Sequence, residues 1–166
     1  MRPETLITPG NLRAAEARRV PFPHMGPHDT RVWNAALRLG LVKFDRLEYD
    51  VRLGGKGADL VDKEHIHRAM WDTLLRKRVD VIGWQGKQVW VVEVKPVASF
   101  AALGQCIGYR DLWKRERPGV CEPRAMCVCA IADPDLLKTF ERAAVRVVSL
   151  PPDVVDDVLG HAPDGH

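Results

Sequence analysis

The sequence predicts an α/β fold in which helices cover both faces of a central mixed sheet. Three observations point there. Helical and strand periodicities follow one another as helix, strand, helix, hairpin, helix, strand, helix, strand, and such an order buries every apolar face only if the helices flank one sheet. Two apolar strands at its centre, Asp80-Val81-Ile82-Gly83-Trp84 and Val89 to Lys95, are joined by a turn sequence. Finally, 166 residues, 46% hydrophobic and 28% charged, support one domain with a real interior.

The elements can be justified in turn. Residues 1–28 carry Pro3, Pro9, Pro21, Pro23 and Pro27 with basic residues between them, a composition expected of an extended arm. Asp29 or Thr30 can cap a helix through Leu39, which Gly40 stops. Lys43 to Leu53 reads as a strand with Phe44, Leu47, Tyr49, Val51 and Leu53. Gly54-Gly55-Lys56-Gly57 is turn-rich but lacks the Gly-Lys-Ser/Thr spacing of a phosphate-cradling loop. Asp62 can cap a helix to Lys77, with Ile66, Ala69, Met70 and Leu74 inward. Beyond the hairpin and its helix come a buried strand, Met126 to Ala132, a helix from Asp133 to Ala144 and a strand from Val145 to Leu150. The domain is therefore expected over 29–150, with 151–166 a tail holding at most a short helix at Asp153 to Leu159.

The hairpin carries the chemistry. Gln85-Gly86-Lys87-Gln88 fits a type II′ turn, with Gly86 supplying the positive φ at the first central position. Pairing Gln85 with Gln88 sets Trp84 against Val89 and Asp80 against Glu93. Alternation then puts Asp80, Ile82 and Trp84 on one face with Val89, Val91, Glu93 and Lys95. Directly opposed side chains have Cβ atoms about 5 Å apart, so two acids there repel unless a proton or cation lies between them. Oxygen ligands of this kind suit Mg²⁺ or Mn²⁺. A one-residue slip would send the acids to opposite faces. The competing reading is a solvated rim of loosely paired ions.

Ser99 can cap the next helix, Phe100 to about Glu116, in which Gln105 and Tyr109 share a face one turn apart. Gly104 and Gly108 are poor helix formers and are expected where the helix lies close against the sheet.

Asp80, Glu93-Val94-Lys95 and Gln105-x-x-x-Tyr109, in that order, resemble the PD-(D/E)xK nuclease superfamily. The resemblance is to its branch with a Gln-x-x-x-Tyr helix, common among exonucleases, and Lys77 through Trp113 also resembles small bacteriophage-encoded members. In element order it covers residues 43 to 150, its motifs only 77 to 113. It implies a restriction-endonuclease-like αβββαβ core, here with one inserted helix at 62–77. It further implies that Asp80 and Glu93 bind the metal with the Val94 carbonyl as third ligand, and that Lys95 orients or activates the attacking water. Gln105 and Tyr109 would line the cleft, and Arg78, beside the acids, would help to hold the nucleic-acid backbone. Two departures stand out: Val79 occupies the place of the proline before Asp80, and no acid stands out in the first helix, Thr30 to Leu39. Glu48, Asp50 and Glu64 remain open as sources of a further metal-site acid.

The expected activity is thus Mg²⁺- or Mn²⁺-dependent cleavage of DNA with little sequence preference, since no residue suggests base readout. Two other readings stay open. One is a phage virion or packaging protein that keeps the nuclease fold, its arm and tail wrapping neighbouring subunits; the other is a nucleic-acid-binding module without cleavage. The formal charge of +3 permits DNA binding through a local patch, either Arg76-Lys77-Arg78 or Arg110, Lys114, Arg115 and Arg117, though a solvated surface explains such clusters equally well. None of the four cysteines makes a Cys-x-x-Cys, which favours reduced, mostly buried thiols over zinc or iron–sulfur ligation. His65 and His67 would point to different faces of their helix, and His24 and His28 face water. No window approaches the about 18 apolar residues of a membrane span, and the N-terminus lacks a secretory apolar run. A cytoplasmic location, or packaging into a virion from there, is expected.

Overall fold

The computed structural model describes residues 6–7, 22, 25–54 and 76–160. Its elements are β1 (Leu6–Ile7), α1 (Pro27–Arg38), β2 (Arg46–Leu53), β3 (Lys77–Gln85), β4 (Gln88–Ala98), α2 (Phe100–Glu116), β5 (Arg124–Ala132), α3 (Leu137–Arg142), β6 (Val145–Ser149) and α4 (Pro152–Leu159). The strands form one sheet in sequence order. Pairing is antiparallel from β1 to β4 and parallel from β4 to β6, so this is an α/β fold on a mixed sheet. The run α1, β2, β3, β4, α2, β5 is the αβββαβ order expected. The helix expected at 62–77, with Glu64, His65 and His67, lies outside the described residues except at its end, where Arg76 precedes the sheet and Lys77 opens β3.

Two helical layers bury the sheet. α1 supplies Val32, Trp33, Ala35 and Ala36 to one face, where α4 joins it through Val158. α2 covers the other face, packing Ala102, Leu103 and Cys106 with Phe140 of α3 over Cys127 and Cys129. The far end of α2 places Tyr109 and Trp113 over Val51, Val79, Ile82, Val89 and Val91. β4 and β5 are buried almost throughout, as expected of strands with helices on both sides.

The N-terminal boundary differs from the sequence expectation. Within the segment read as an arm, Leu6–Ile7 pair with β2, Phe22 stacks on Tyr49 at 4.6 Å, and Phe22 and Met25 are buried. Nor do Asp29 or Thr30 cap α1: the N-cap is Gly26, and Pro27 occupies the first turn. A proline is favoured there because its missing N–H is not needed and its φ is already helical. Asp29 instead reaches back to accept the Gly26 N–H at 3.4 Å. At the other end, the segment read as a tail contributes Val154, Val155, Val158 and Leu159 to the core beside α1.

The hairpin forms as its turn chemistry requires. Gly86 has φ +56°, and the register runs Gln85↔Gln88, Trp84↔Val89, Ile82↔Val91 and Val81↔Val92. Ser99 caps α2 through its hydroxyl, which accepts the Ala102 N–H. The glycines of α2 are a correction: a Cβ added at Gly104 or Gly108 would meet nothing within 4 Å, so they face open space. Close approach occurs instead at Gly83, where an added Cβ would lie 2.5 Å from the Phe44 ring.

Candidate active site

The site lies where β3 and β4 part. Their ladder ends at Val81↔Val92, one rung short of the expected Asp80↔Glu93 pair. Asp80 does not sit opposite Glu93 in the ladder. Its Oδ2 instead accepts the Val94 N–H at 2.9 Å, taking the place of a backbone carbonyl in the fork between the strands. In a strand the N–H and C=O of one residue point to the same side, so the Val94 carbonyl also faces that fork.

Glu93 and Lys95 stand one after the other on the α2 face of β4. Glu93 is 2% exposed; its Oε1 accepts from Lys95 Nζ at 2.8 Å, and its Oε2 has no hydrogen-bond partner. Leaving a buried carboxylate oxygen unpaired is costly. The titration behaviour of the group reflects that. Burial, then the Asp80 charge, pushes the Glu93 carboxyl up to about 8 from 4.5. Burial raises Asp80 to about 6 from 3.8 against the opposing pull of the Val94 amide and Lys95. Burial draws the Lys95 ammonium down, but Glu93, with Asp80 and Asp29 behind it, outweighs this and holds it above its ordinary value. The acids thus repel one another in a half-closed site that the single lysine does not neutralise.

One residue of this site is missing from the sequence reading. Asp29, in the first turn of α1, raises the pKa values of Asp80, Glu93 and Lys95 through its charge. The first helix does hold an acid, because it starts earlier than expected, at Pro27, and so includes Asp29 in its first turn. Its signal was local: a proline two residues ahead marks the first turn. Of the other acids considered, Asp50 acts on Asp80 through its charge and pairs with Arg78 at 3.5 Å. Glu48 is buried elsewhere, accepting from Trp84 Nε1 at 2.9 Å and pairing with Arg46. Glu64 lies outside the described residues.

Gln105 Nε2 donates to Tyr109 Oη at 3.2 Å. Burial raises the Tyr109 hydroxyl against the opposing pull of the Gln105 hydrogen bond, and the Glu93 and Asp80 charges add to the rise. Arg78 is engaged by Asp50 rather than turned freely to solvent. In the basic end of α2, Arg110 donates to the Ala143 and Ala144 carbonyls, Lys114 pairs with Glu122, and Arg117 lies 3.7 Å over the Trp113 ring. Cys106, Cys127 and Cys129 are buried, Cys121 is partly so, and all four are free thiols. Hydrogen bonding to Cys106, with burial, raises Cys127, and bonding to Cys127 raises Cys129, so these thiols stay protonated. An open cleft of about 560 Å³ at the turn end of the hairpin is lined by Asp45, Arg46, Trp84, Gly86, Lys87 and Cys121 and contains none of the acids of the fork.

The donor set fits a hard divalent cation. The unpartnered Glu93 oxygen, the Asp80 carboxylate and the Val94 carbonyl are oxygen donors around one fork, and such cations complete their shell with water. Among the described residues no three acid, histidine or cysteine side chains form a ready-made cage, so carbonyl and solvent ligands would be required. No helix among these residues is long and apolar enough to cross a membrane.

No family model matches the sequence, and no curated protein matches it. Among solved structures, a protein of unknown function, AF1548, is similar at 10% identity and a TM-score of 0.45 over 81% of this chain. The protein VC1899 from Vibrio cholerae is similar at 13% identity and a TM-score of 0.40, again over 81% of this chain. The chain spans 65% of the length of the first and 30% of the second.

Proposed function

We propose that the protein is a metal-dependent phosphodiesterase that cuts DNA, similar to PD-(D/E)xK nucleases of the Gln-x-x-x-Tyr branch. The observation that carries the reading is the Asp80–Glu93 pair: a half-buried and a buried acid with raised pKa values, the buried one with an oxygen unpartnered, beside a lysine. A stable protein tolerates such repulsion when a bound cation relieves it.

Asp80, Glu93 and the Val94 carbonyl would hold Mg²⁺ or Mn²⁺, with Asp29 adding negative charge from α1. The metal, when bound, supplies a water of lowered pKa and charge stabilisation at the phosphate. Lys95 is a cation at the working pH, so its role is to orient that water and stabilise the developing phosphorane charge. Its partner Glu93 fixes the ammonium in place at 2.8 Å. The Tyr109 hydroxyl, held by Gln105, stays protonated and can donate to a backbone oxygen of the substrate. Contacts of this kind read phosphate and sugar, so little sequence preference is expected.

Degradation of linear and plasmid DNA in Mg²⁺ or Mn²⁺ tests the reading. Asp80→Ala should abolish cleavage, and Lys95→Met should slow it by about 100-fold or more while metal binding persists. An intact protein that binds metal and DNA yet cuts neither substrate would refute the hydrolase and favour a binding or assembly role.

A further inference from the structure

We propose that Asp50 is a positioning residue of this site: its left-handed backbone turns the β2–β3 ladder over at the rung of Asp80 and so aims the Asp80 carboxylate at the Val94 amide. The inference rests on the metal-dependent reading for its catalytic consequence, and on geometry alone for the rest.

Asp50 has φ +54° in the middle of β2, a conformation that costs most L-residues free energy and that Asp and Asn tolerate best after glycine. The register is continuous on either side of it, Tyr49↔Val81 and Val51↔Val79, but no pairing joins Asp50 to Asp80. The side chains change sides there. Leu47 and Tyr49 face α1 with Val81, whereas Val51 and Leu53 face α2 with Val79. Plain alternation would keep Tyr49 and Val51 on one side. Both strands therefore roll over at one rung without gaining or losing a residue, and Asp80 is the β3 residue at that rung.

The roll frees Asp80 from its ladder with β2 at the point where its ladder with β4 also ends. Its side chain is then able to enter the plane of the sheet and accept the Val94 N–H. Arg78, two residues before Asp80, holds the Asp50 carboxylate at 3.5 Å, which ties the rolled segment of β2 to β3. Strained backbone that persists in a folded protein is concentrated at functional sites, and here it stands next to the acids.

The test compares Asp50→Gly, Asp50→Asn, Asp50→Ala and Asp50→Val. Two quantities are read: amide hydrogen exchange at Val94 in metal-free protein, and the single-turnover rate on linear DNA with Mn²⁺. Glycine and asparagine accept the left-handed backbone and should keep Val94 protected and cleavage within a few-fold of the parent. Alanine and valine should speed exchange at Val94 on the order of tenfold and slow cleavage on the order of 100-fold, the usual cost of misplacing a reacting group by about 1 Å. Recovery with glycine, which lacks any side chain, separates positioning from a ligand role for the carboxylate. The proposal is overturned if Asp50→Ala leaves Val94 and the rate unchanged, or if Asp50→Gly is as impaired as Asp50→Ala. Should the alanine and valine variants not fold, the glycine and asparagine variants decide alone, since loss of Val94 protection in either one overturns it. A parent protein that cuts nothing, while Val94 protection still follows the backbone at residue 50, would remove the hydrolase and leave the positioning standing.

Discussion

Glu93→Gln should make the metal-free protein more stable at pH 8 while removing its response to metal. The Glu93 carboxyl is raised from 4.5 to about 8 by burial and by Asp80. At 1.36 kcal/mol per pKa unit, that shift is an ionisation penalty of roughly 5 kcal/mol, an upper bound for one of two interacting acids. Glutamine relieves the penalty but still buries an amide, and its carbonyl oxygen replaces the 2.8 Å ion pair with Lys95 by a weaker neutral hydrogen bond. Setting about 2–3 kcal/mol against those losses leaves a net gain of about 2 kcal/mol, worth roughly 4–8 °C in Tm for a chain of this size. The sign with pH follows from the raised value. Below about 4.5 the folded and unfolded carboxyls are both protonated and the penalty is absent. Between there and about 8 the folded state keeps a proton that the unfolded chain has released, so stability falls as pH rises. Glu93→Gln should therefore be less stable than the parent at pH 4, where only those losses remain, and should gain steadily to be the more stable protein at pH 8. The assay is thermal unfolding from pH 4 to pH 8, with and without Mg²⁺ or Mn²⁺. In the parent, metal should recover the stability lost at high pH by mass action; in the variant it should do little. A variant less stable than the parent by the same margin at every pH would refute the reasoning, because Glu93 would then be a structural partner of Lys95 and nothing more.

Three further perturbations probe the surroundings. Asp29→Asn keeps an oxygen for the Gly26 N–H but removes charge from the fork, so metal affinity by calorimetry should weaken by about tenfold with little change in unfolding temperature; unchanged affinity would detach α1 from the site. Gly104→Ala has open space for its methyl group and should stabilise α2 by about 0.5–1 kcal/mol in urea unfolding, whereas a loss would mean that the helix is tightly apposed there. Gly83→Ala would drive a methyl group into the Phe44 ring, 2.5 Å away and buried, and should cost about 1–3 kcal/mol in the same assay; a neutral result would show that Phe44 moves aside without penalty.

The residues that were legible in advance belong to short-range rules. Gly86 between two glutamines sets the turn and with it the rungs down to Val81↔Val92. Ser99, after Pro96, marks the start of α2, and one-turn spacing within that helix brings Gln105 to Tyr109. Misreadings arose wherever a partner distant in sequence decides the outcome. The prolines before residue 28 suggested an arm, yet Leu6–Ile7 pair with β2, Phe22 finds Tyr49, and Phe22 and Met25 are buried. Gly104 and Gly108 suggested contact with the sheet, yet α2 turns Ala102, Cys106, Tyr109 and Trp113 that way instead. Counting along the hairpin placed Asp80 opposite Glu93 but could not show that both ladders of β3 lapse at Asp80.

By itself the sequence determined the α/β order, the hairpin register down to Val81↔Val92 and the capped helix after it, because periodicity, turn geometry and capping act over a few residues. Only the tertiary structure decided how Asp80, Glu93 and Lys95 meet. It brought the charge of Asp29 in α1 to bear on Asp80, rolled β2 and β3 over at Asp50, and gave the Asp80 carboxylate to the Val94 amide. The physical reason is that burial and repulsion between charges depend on distances through space, which residues 51 positions apart in the chain acquire only when the two helical layers close over the sheet.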